Sequence, residues 1–190
     1  HYSLVGFIRP SDLRVRSMRI RPAEKRDHPA LAQVYVETWW AAYRGILPDA
    51  YLDSMTLAET ETSLGREIGG AGVVSLMAEG DDGKAAGLIT GGTDRRRDRI
   101  YGGEIFSLYV RPSYQRRGIG HQLVAHLVAQ INRLDIFTLK VQVLEANPCR
   151  HFYEKINGVL LACGRIRFAD TDIEACTYGW LDTDLIGTTL

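Results

Sequence analysis

Residues 104–134 read EIFSLYVRPSYQRRGIGHQLVAHLVAQINRL, an apolar stretch, a basic turn and an amphipathic stretch in succession. The run from Ile105 to Val110 is apolar and aromatic except for Ser107, as in a buried strand. Pro112 ends it, because proline has no N–H to donate to a neighbouring strand. Further along, apolar residues recur at helical spacing, namely at Ile119, Leu123, Val124, Leu127, Val128, Ile131 and Leu134. The pattern predicts a strand, a turn and a helix.

The turn between this strand and helix has the features of an anion-binding loop. Glycine has no Cβ, so its backbone N–H can approach a ligand closely. A helix N-terminus adds unpaired N–H donors and roughly half a positive charge. No Gly-Lys-Ser/Thr or GxGxxG pattern is present, which excludes the two common phosphate loops. A basic surface turn is the alternative, and we favour a site for phosphate or pyrophosphate. The turn consists of Gln115, Arg116, Arg117, Gly118, Ile119 and Gly120.

Three segments together resemble the GNAT superfamily of N-acetyltransferases. Val110-Arg111-Pro112 followed by Gln115-x-x-Gly118-x-Gly120 is similar to the family's acetyl-CoA-binding motif. The segment TWWAAYRGILPDAYLDSM (residues 38–55) is similar to the first two helices of many bacterial members, and EANPCRHFYEKINGV (residues 145–159) matches the second cofactor-side motif. The resemblance implies a GNAT fold of the α/β class: a central mixed, mostly antiparallel twisted sheet of about six to seven strands, flanked by about four helices.

Composition is that of an ordinary soluble globular protein. The chain has 190 residues, of which 45% are hydrophobic and 24% charged, and its formal net charge is zero. This balance does not favour nucleic-acid binding, which normally calls for a basic domain. No apolar run approaches the ~20 residues of a membrane span. We expect a single N-acetyltransferase domain over residues 18–190, preceded by a leader or N-terminal extension over residues 1–17.

The cysteines indicate a thiol-reduced setting. There are three of them, an odd number, and they fit neither a CxxC metal site nor a disulfide framework. The expected localisation is therefore cytoplasmic, without a metal and without a membrane partner. We read Cys149 as a small packing residue, since no basic group beside it is evident. A homodimer is possible.

The resemblance implies how acetyl-CoA, the expected co-substrate, is held. The backbone around Leu108 and Val110 contacts the thioester and pantetheine, and Asn147 hydrogen-bonds the pantetheine arm. Two parallel strands that end at Val110 and Leu144 splay apart to admit this arm. The expected cofactor-binding residues are Leu108, Tyr109, Val110, Gln115, Arg116, Arg117, Gly118, Ile119, Gly120, His121 and Asn147.

Amine acylation needs a group that removes a proton and a group that protonates the departing thiolate. An amine of pKa ~10.4 is neutral in only about one molecule per few thousand at pH 7. By the resemblance, Glu104 is the candidate base, directly or through water; its alternative is a solvated strand end. Tyr153 is the candidate acid for the CoA thiolate, and its alternative is packing against Phe152.

The acceptor side is less specific. Trp40, Tyr43 and Tyr51 are expected to wall an acceptor pocket, whereas Tyr35 and Trp39 lie on the apolar stripe of their helix and are expected in the core. Nearby carboxylates either attract a cationic amine or form a solvated face; these are Glu37, Asp49 and Asp53.

Three functions are compatible with these residues. The first is transfer of an acetyl group from acetyl-CoA to a small-molecule or peptide amine. The second is a CoA-binding sensor or pseudoenzyme without acceptor chemistry, against which the retention of Glu104 and Tyr153 argues. The third is a plain nucleotide- or phosphate-binding module, which the lack of a P-loop lysine or metal-ligand cluster disfavours.

Overall fold

The computed structural model describes residues 18–168 and 171–187. Its strands are β1 (Arg19–Pro22), β2 (Val73–Glu79), β3 (Ala85–Thr93), β4 (Gly103–Val110), β5 (Leu139–Leu144), β6 (Val159–Phe168) and β7 (Thr171–Trp180). Its α-helices are α1 (His28–Tyr43), α2 (Asp49–Asp53), α3 (Leu57–Ile68), α4 (Ile119–Asn132) and α5 (Arg150–Lys155). The predicted leader over residues 1–17 lies outside the described residues, and the domain boundary at residue 18 stays a prediction.

The strands form one seven-stranded sheet in the order β1-β2-β3-β4-β5-β7-β6. Only β4 and β5 pair in parallel; the other neighbours are antiparallel. The expected mixed, mostly antiparallel α/β sheet is confirmed. Within the described part of the chain it is accompanied by five α-helices, where about four were expected.

Each face of the sheet carries its own hydrophobic core. Along β2, Leu76 and Ala78 face a core that contains α4, whereas Met77 between them faces a core built from α1 and α3. This alternation follows from the two-residue period of a strand. Helix α4 packs closely on β3, because a Cβ added at Gly91 would lie 2.8 Å from Leu127. The sheet is therefore a middle layer between two sets of helices.

Two helix starts show how local signals act. Thr56-x-x-Glu59 predicts a capping box at the start of α3, and this is confirmed: the Thr56 hydroxyl accepts from the Glu59 backbone N–H and donates to its carboxylate. At α1, Asp27 with Pro29 in the first turn predicts a side-chain cap, and this prediction is wrong. The Asp27 carboxylate instead pairs with Arg21 at 2.7 Å and accepts from the Glu24 N–H, because a half-buried guanidinium offers it two stronger, charged donors.

The cysteine expectation is wrong for Cys163 and Cys176, which form a disulfide across β6 and β7. They are direct partners in a continuous antiparallel register that runs from Cys163↔Cys176 to Phe168↔Thr171. Such cross-strand partners come close enough to be bridged. Spacing alone does not reveal this register, which is why the sequence did not indicate the pair. Cys149 is a free cysteine.

We expect reduction of this disulfide to lower the free energy of unfolding by about 2–4 kcal/mol, because a bridge between residues 13 apart restricts the unfolded chain. Thermal unfolding with and without dithiothreitol measures the effect. Cys149→Ala is the control and should leave the shift unchanged. Thiol titration of the denatured, unreduced protein should find one free thiol; three free thiols would refute the bridge.

The described residues contain neither a membrane-spanning helix nor a metal-binding group of side chains. None of the helices there combines the length and apolar character that a membrane crossing needs. In the same residues, no group of three or more His, Cys, Asp or Glu side chains is arranged to hold a metal ion.

Candidate active site

A gap between β4 and β5 forms the centre of the candidate site. The two strands pair only over three positions, from Gly103↔Leu139 to Ile105↔Val141. Beyond Ile105 a bulge in the β3–β4 register inserts Phe106 as an extra residue, and bulges bend and twist a strand. The strands separate beyond this point, as the resemblance implied.

Backbone donors line this gap. The Arg111 N–H donates to the Ala86 carbonyl on β3. Because N–H directions alternate along an extended strand, the N–H groups of Val110 and Leu108 face away from β3, toward β5. The carbonyl of Val110 faces the same way and accepts from the Gln115 side-chain amide at 2.9 Å. Leu108 and Val110 therefore present unpaired donors where a thioester and an amide-rich arm would lie.

The turn after β4 has an open backbone. Arg116 and Gly118 both have positive φ, 62° and 76°, and Gly118 is the N-cap residue of α4 without a side-chain cap. Within residues 18–168 and 171–187, the backbone N–H groups of residues 116–121 meet no acceptor. A row of free N–H groups at the start of a 14-residue helix suits an anion.

Charge at this turn is exposed. The side chains of Arg116, Arg117 and His121 are solvent-exposed. Arg117 donates to the Ser113 carbonyl at 2.8 Å and lies over the Tyr114 ring, so its position is partly set. Gly120 faces the Phe152 ring, 3.5 Å from where a Cβ would be, and Ile119 is buried in the core. The structure thus brings the predicted residues 115–121 together around one surface.

Tyr153 lies on α5 and is buried. Its ring packs against Tyr178 and Trp180 in the core on the α4 face of the sheet. Burial raises the pKa of its phenol, and Tyr43 and Tyr109 contribute to the rise. Both of these tyrosines pack among other aromatic side chains on the opposite face of the sheet. The ring of Tyr153 thus packs on the α4 face, and its hydroxyl is influenced by tyrosines of the opposite face.

Asn147 follows β5 in the chain, and its buried side-chain amide makes two hydrogen bonds. Its amide nitrogen donates to the Tyr43 hydroxyl at 3.0 Å and its oxygen accepts from the Cys149 N–H at 2.9 Å. Asn147 followed by Pro148 predicts a helix that starts at Pro148 with Asn147 as its cap. This is wrong by two residues: α5 begins at Arg150, because the Asn147 side chain instead closes a turn with the Cys149 N–H. Cys149 is exposed, so its interpretation as a packing residue is wrong, although partial burial raises the pKa of its thiol.

Glu104 lies at the closed end of the gap. It faces Lys140 in the parallel register, the second of the three paired positions. Its carboxylate is 12% exposed and lies 3.5 Å from the Arg95 guanidinium. The side chain is thus buried and charge-paired, which differs from a solvated strand end.

Aromatic side chains from four elements form a cluster beside the gap. Tyr43 and Tyr51 belong to it, but Trp40 does not: its side chain is 42% exposed and its indole N–H donates to the Leu52 carbonyl. Phe168, on β6, stacks on Trp39 with ring centroids 5.7 Å apart. The aromatic cluster consists of Tyr35, Trp39, Tyr43, Tyr51, Tyr109 and Phe168.

Two members correct the sequence interpretation. Tyr43 is only 9% exposed although it falls off the predicted apolar stripe; the cluster, rather than α1 alone, covers it. Phe168 was missed, because β6 pairs with β7 and carries no local signal of contact with α1. The expected core position of Trp39 is confirmed, whereas Tyr35 is half-buried and packs against the core.

The carboxylates of α1 and α2 are paired with arginines. Arg111 donates two hydrogen bonds to the Glu37 carboxylate, at 2.7 and 3.0 Å. This bidentate ion pair links α1 to the residue that follows β4. Asp49 and Asp53 both face Arg44. These ion pairs give the three carboxylates a structural role.

The family model described as "Acetyltransferase (GNAT) family" matches residues 32–159. This match covers more than half of the chain, and it includes the gap, the turn and Tyr153. The chain belongs to the GNAT acetyltransferase family. It is 27% identical over 172 residues to the uncharacterised N-acetyltransferase YuaI of Bacillus subtilis (strain 168), which covers 90% of this chain and 97% of that protein.

Solved GNAT structures share the fold of this acetyltransferase. The PaiA N-acetyltransferase of Thermoplasma acidophilum, in complex with coenzyme A, matches with a TM-score of 0.63 at 20% identity, over 86% of this chain and 99% of that one. The structure of yncA from Salmonella typhimurium with acetyl-CoA matches with a TM-score of 0.64 at 22% identity, over 87% and 95% of the two chains.

The residues of this GNAT chain fit a CoA ligand. The free N–H groups of residues 116–121 suit a pyrophosphate, and no atom lies within 4 Å of where a Cβ on Gly118 would be. The gap offers the donors of Leu108 and Val110 to the pantetheine amides and the thioester. Sequence reasoning missed one charged residue near this gap: Glu67, on α3, accepts a hydrogen bond from Ser107 of β4 at 3.0 Å.

Proposed function

We propose that this protein transfers an acetyl group from acetyl-CoA directly to a primary amine. The observation that carries the proposal is the gap between β4 and β5, together with the free N–H groups of residues 116–121 in the turn that follows β4. Membership of the acetyltransferase family and the CoA or acetyl-CoA named for the solved relatives support it.

In the proposed reaction, the amine nitrogen attacks the thioester carbonyl carbon; the new C–N bond forms as the C–S bond breaks. The N–H groups of Leu108 and Val110 stabilise charge on the carbonyl oxygen and hold the pantetheine arm. Glu104 accepts the ammonium proton, directly or through water, and relieves a barrier of roughly 4–5 kcal/mol for an unperturbed amine at pH 7. Tyr153 is the acid for the departing thiolate: its phenol hydrogen-bonds the sulfur, and the second proton that the nitrogen releases as the amide forms ends on the thiol, or restores the phenol if that has given up its own.

The arrangement suits Tyr153 for this role. A raised phenol pKa means that the hydroxyl stays protonated at every pH at which an amine is a useful nucleophile. Proton donation from such a phenol to a thiolate of pKa ~8.5 is uphill, so Tyr153 acts mainly by a hydrogen bond that strengthens as negative charge collects on sulfur. Because the hydroxyl is buried, that hydrogen bond forms away from bulk water, where it is stronger.

Thiol release tests the function. The protein is mixed with acetyl-CoA and a broad panel of small-molecule and peptide amines, and free CoA thiol is measured. Amine-dependent release supports transfer. CoA binding without release on any amine supports a sensor, and no CoA binding at all refutes the CoA site. A cytoplasmic location and a homodimer stay predictions, and the Cys163–Cys176 disulfide does not favour the former.

A further inference from the structure

Glu67 lies in the last turn of α3 and points its carboxylate at the sheet. One carboxylate oxygen accepts from the hydroxyls of Thr90 on β3 and Ser107 on β4. Thr90 is fully buried and Ser107 is 8% exposed, while Glu67 itself is half-buried and so reachable from solvent. This carboxylate therefore sits between helix and sheet, beside the part of β4 that has separated from β5.

The position is electrostatically unfavourable for an anion. The C-terminal end of a helix carries roughly half a negative charge, which repels a carboxylate in its last turn. Within residues 18–168 and 171–187, no Lys, Arg or His lies within ion-pair distance of Glu67, whereas the carboxylates of Glu37, Asp53 and Glu104 all have arginine partners. Partly buried charges are normally paired. Within the described residues, Glu67 is thus a half-buried carboxylate without a cationic partner.

The aromatic cluster continues directly from this carboxylate. Burial raises the pKa values of Tyr35 and Tyr109, and the charge of Glu67 adds to both shifts. The side chains of Trp39 and Ser107 act on Tyr109 in the opposite direction, so its hydroxyl lies near both. The indole N–H of Trp39 is buried without a hydrogen-bond partner in the described part of the chain. Ring faces with one carboxylate beside them attract a cation that carries apolar groups.

We propose that Glu67 and the aromatic cluster form the acceptor site, in which the Glu67 carboxylate binds the ammonium group of a primary amine with an apolar carbon frame. The inference rests on the proposed function for its identification as the acceptor side, and it names the class of acceptor. Glu67 is the specificity-determining residue that captures the charged amine, and Glu104, already paired with Arg95, is the group that removes the proton. The half-buried rings of Tyr35 and Tyr109 contact the carbon frame, with Trp39 packed behind them in the core.

The probe is 2-phenylethylamine, an ammonium at pH 7 on an apolar frame, with 2-phenylethanol as its neutral counterpart. Binding of each to the CoA-saturated protein is measured by calorimetry or ligand-observed NMR. We expect Glu67→Gln to weaken binding of the ammonium about 10- to 100-fold, the range for a lost charged hydrogen bond, and to leave binding of the alcohol unchanged. In turnover, KM for the amine should rise far more than kcat falls.

Glu61→Gln is the matched control, since it removes the same charge from the same helix and should change neither ligand's binding. In Glu67→Gln the amide oxygen still accepts from Thr90 and Ser107, and Ser107→Ala removes one hydroxyl partner while keeping the carboxylate. If Glu67 serves only to satisfy these hydroxyls, Glu67→Gln will keep thermal stability, Ser107→Ala will lower it, and neither will show an ammonium-specific loss. Equal ammonium affinity in wild type and Glu67→Gln would overturn the proposal, as would a wild type that binds the alcohol as tightly as the ammonium.

The binding experiment and the thiol-release experiment test the acceptor site and the transfer reaction separately, so either hypothesis can be refuted while the other is retained. Ammonium binding that depends on Glu67, without CoA release on any amine, would retain the site and refute the transfer reaction. Release that is unaffected by Glu67→Gln at low amine concentration would retain the transfer reaction and refute the role of Glu67.

Discussion

Tyr153→Phe is expected to lower kcat by about two to four orders of magnitude, the usual contribution of a positioned acid, and to change CoA affinity by less than about threefold. The substitution removes only the hydroxyl, while the ring contacts with Tyr178 and Trp180 remain. Steady-state kinetics with an active amine and CoA titration measure the two quantities separately. Equal losses in turnover and affinity would indicate a packing role.

Tyr178→Phe is the matched control for this experiment. Tyr178 lies in the same core and is completely buried, but its hydroxyl donates to Glu154 at 2.7 Å. Its loss should cost about 1 kcal/mol of stability and leave turnover unchanged. A Tyr178→Phe variant as slow as Tyr153→Phe would mean that the core, rather than one hydroxyl, sets the rate.

The pH profile gives a second measurement on Tyr153. The acid form is the active one, and burial raises the phenol pKa above its ordinary value of about 10. Ionisation of Tyr153 therefore removes activity only above that pH. We expect kcat/KM to rise with pH as the amine is deprotonated, with no alkaline fall below about pH 10. An alkaline limb in this range that disappears in Tyr153→Phe would contradict the raised pKa.

Gly118→Val is expected to weaken CoA binding by about 100-fold or more, since losing one or two charge-assisted hydrogen bonds has this effect. A β-branched residue is strained at the positive φ of 76° found for Gly118, so the chain will shift where α4 begins and move its free N–H groups. The space around this Cβ is empty in the protein itself, which means that the loss comes from backbone geometry and from ligand approach.

Gly83→Val separates these causes from a general loss of stability. Gly83 has nearly the same φ, 72°, and equally open surroundings, but it lies in the turn between β2 and β3. Both variants should lose about 1–3 kcal/mol of stability, and only Gly118→Val should lose CoA affinity. Similar affinities for CoA in the two variants would show that residues 116–121 do not hold the anion. Gly120→Ala places its methyl 3.5 Å from Phe152, an ordinary contact, and should keep the fold intact.

Much of the site follows from local patterns. Strand β4, the turn and helix α4 are contiguous in the chain, so alternation, glycine and helical spacing describe them without knowledge of the rest. Tyr153 and Asn147 were placed by a motif that is also contiguous. The predictions that failed concern side chains with distant partners: Asp27 turned to Arg21 instead of its helix, and Cys163 met Cys176 through a strand register.

The sequence by itself predicted the turn of the proposed donor half, because an anion loop depends on the φ values and free N–H groups of a few consecutive residues. The acceptor half was decided by tertiary structure. The gap exists because a bulge in β4 ends its pairing with β5, Phe168 joins α1 only through the fold of β6 and β7, and Glu67 meets Ser107 from 40 residues away. Such contacts depend on how whole helices and strands pack together, and they cannot be predicted from the spacing of residues along one element.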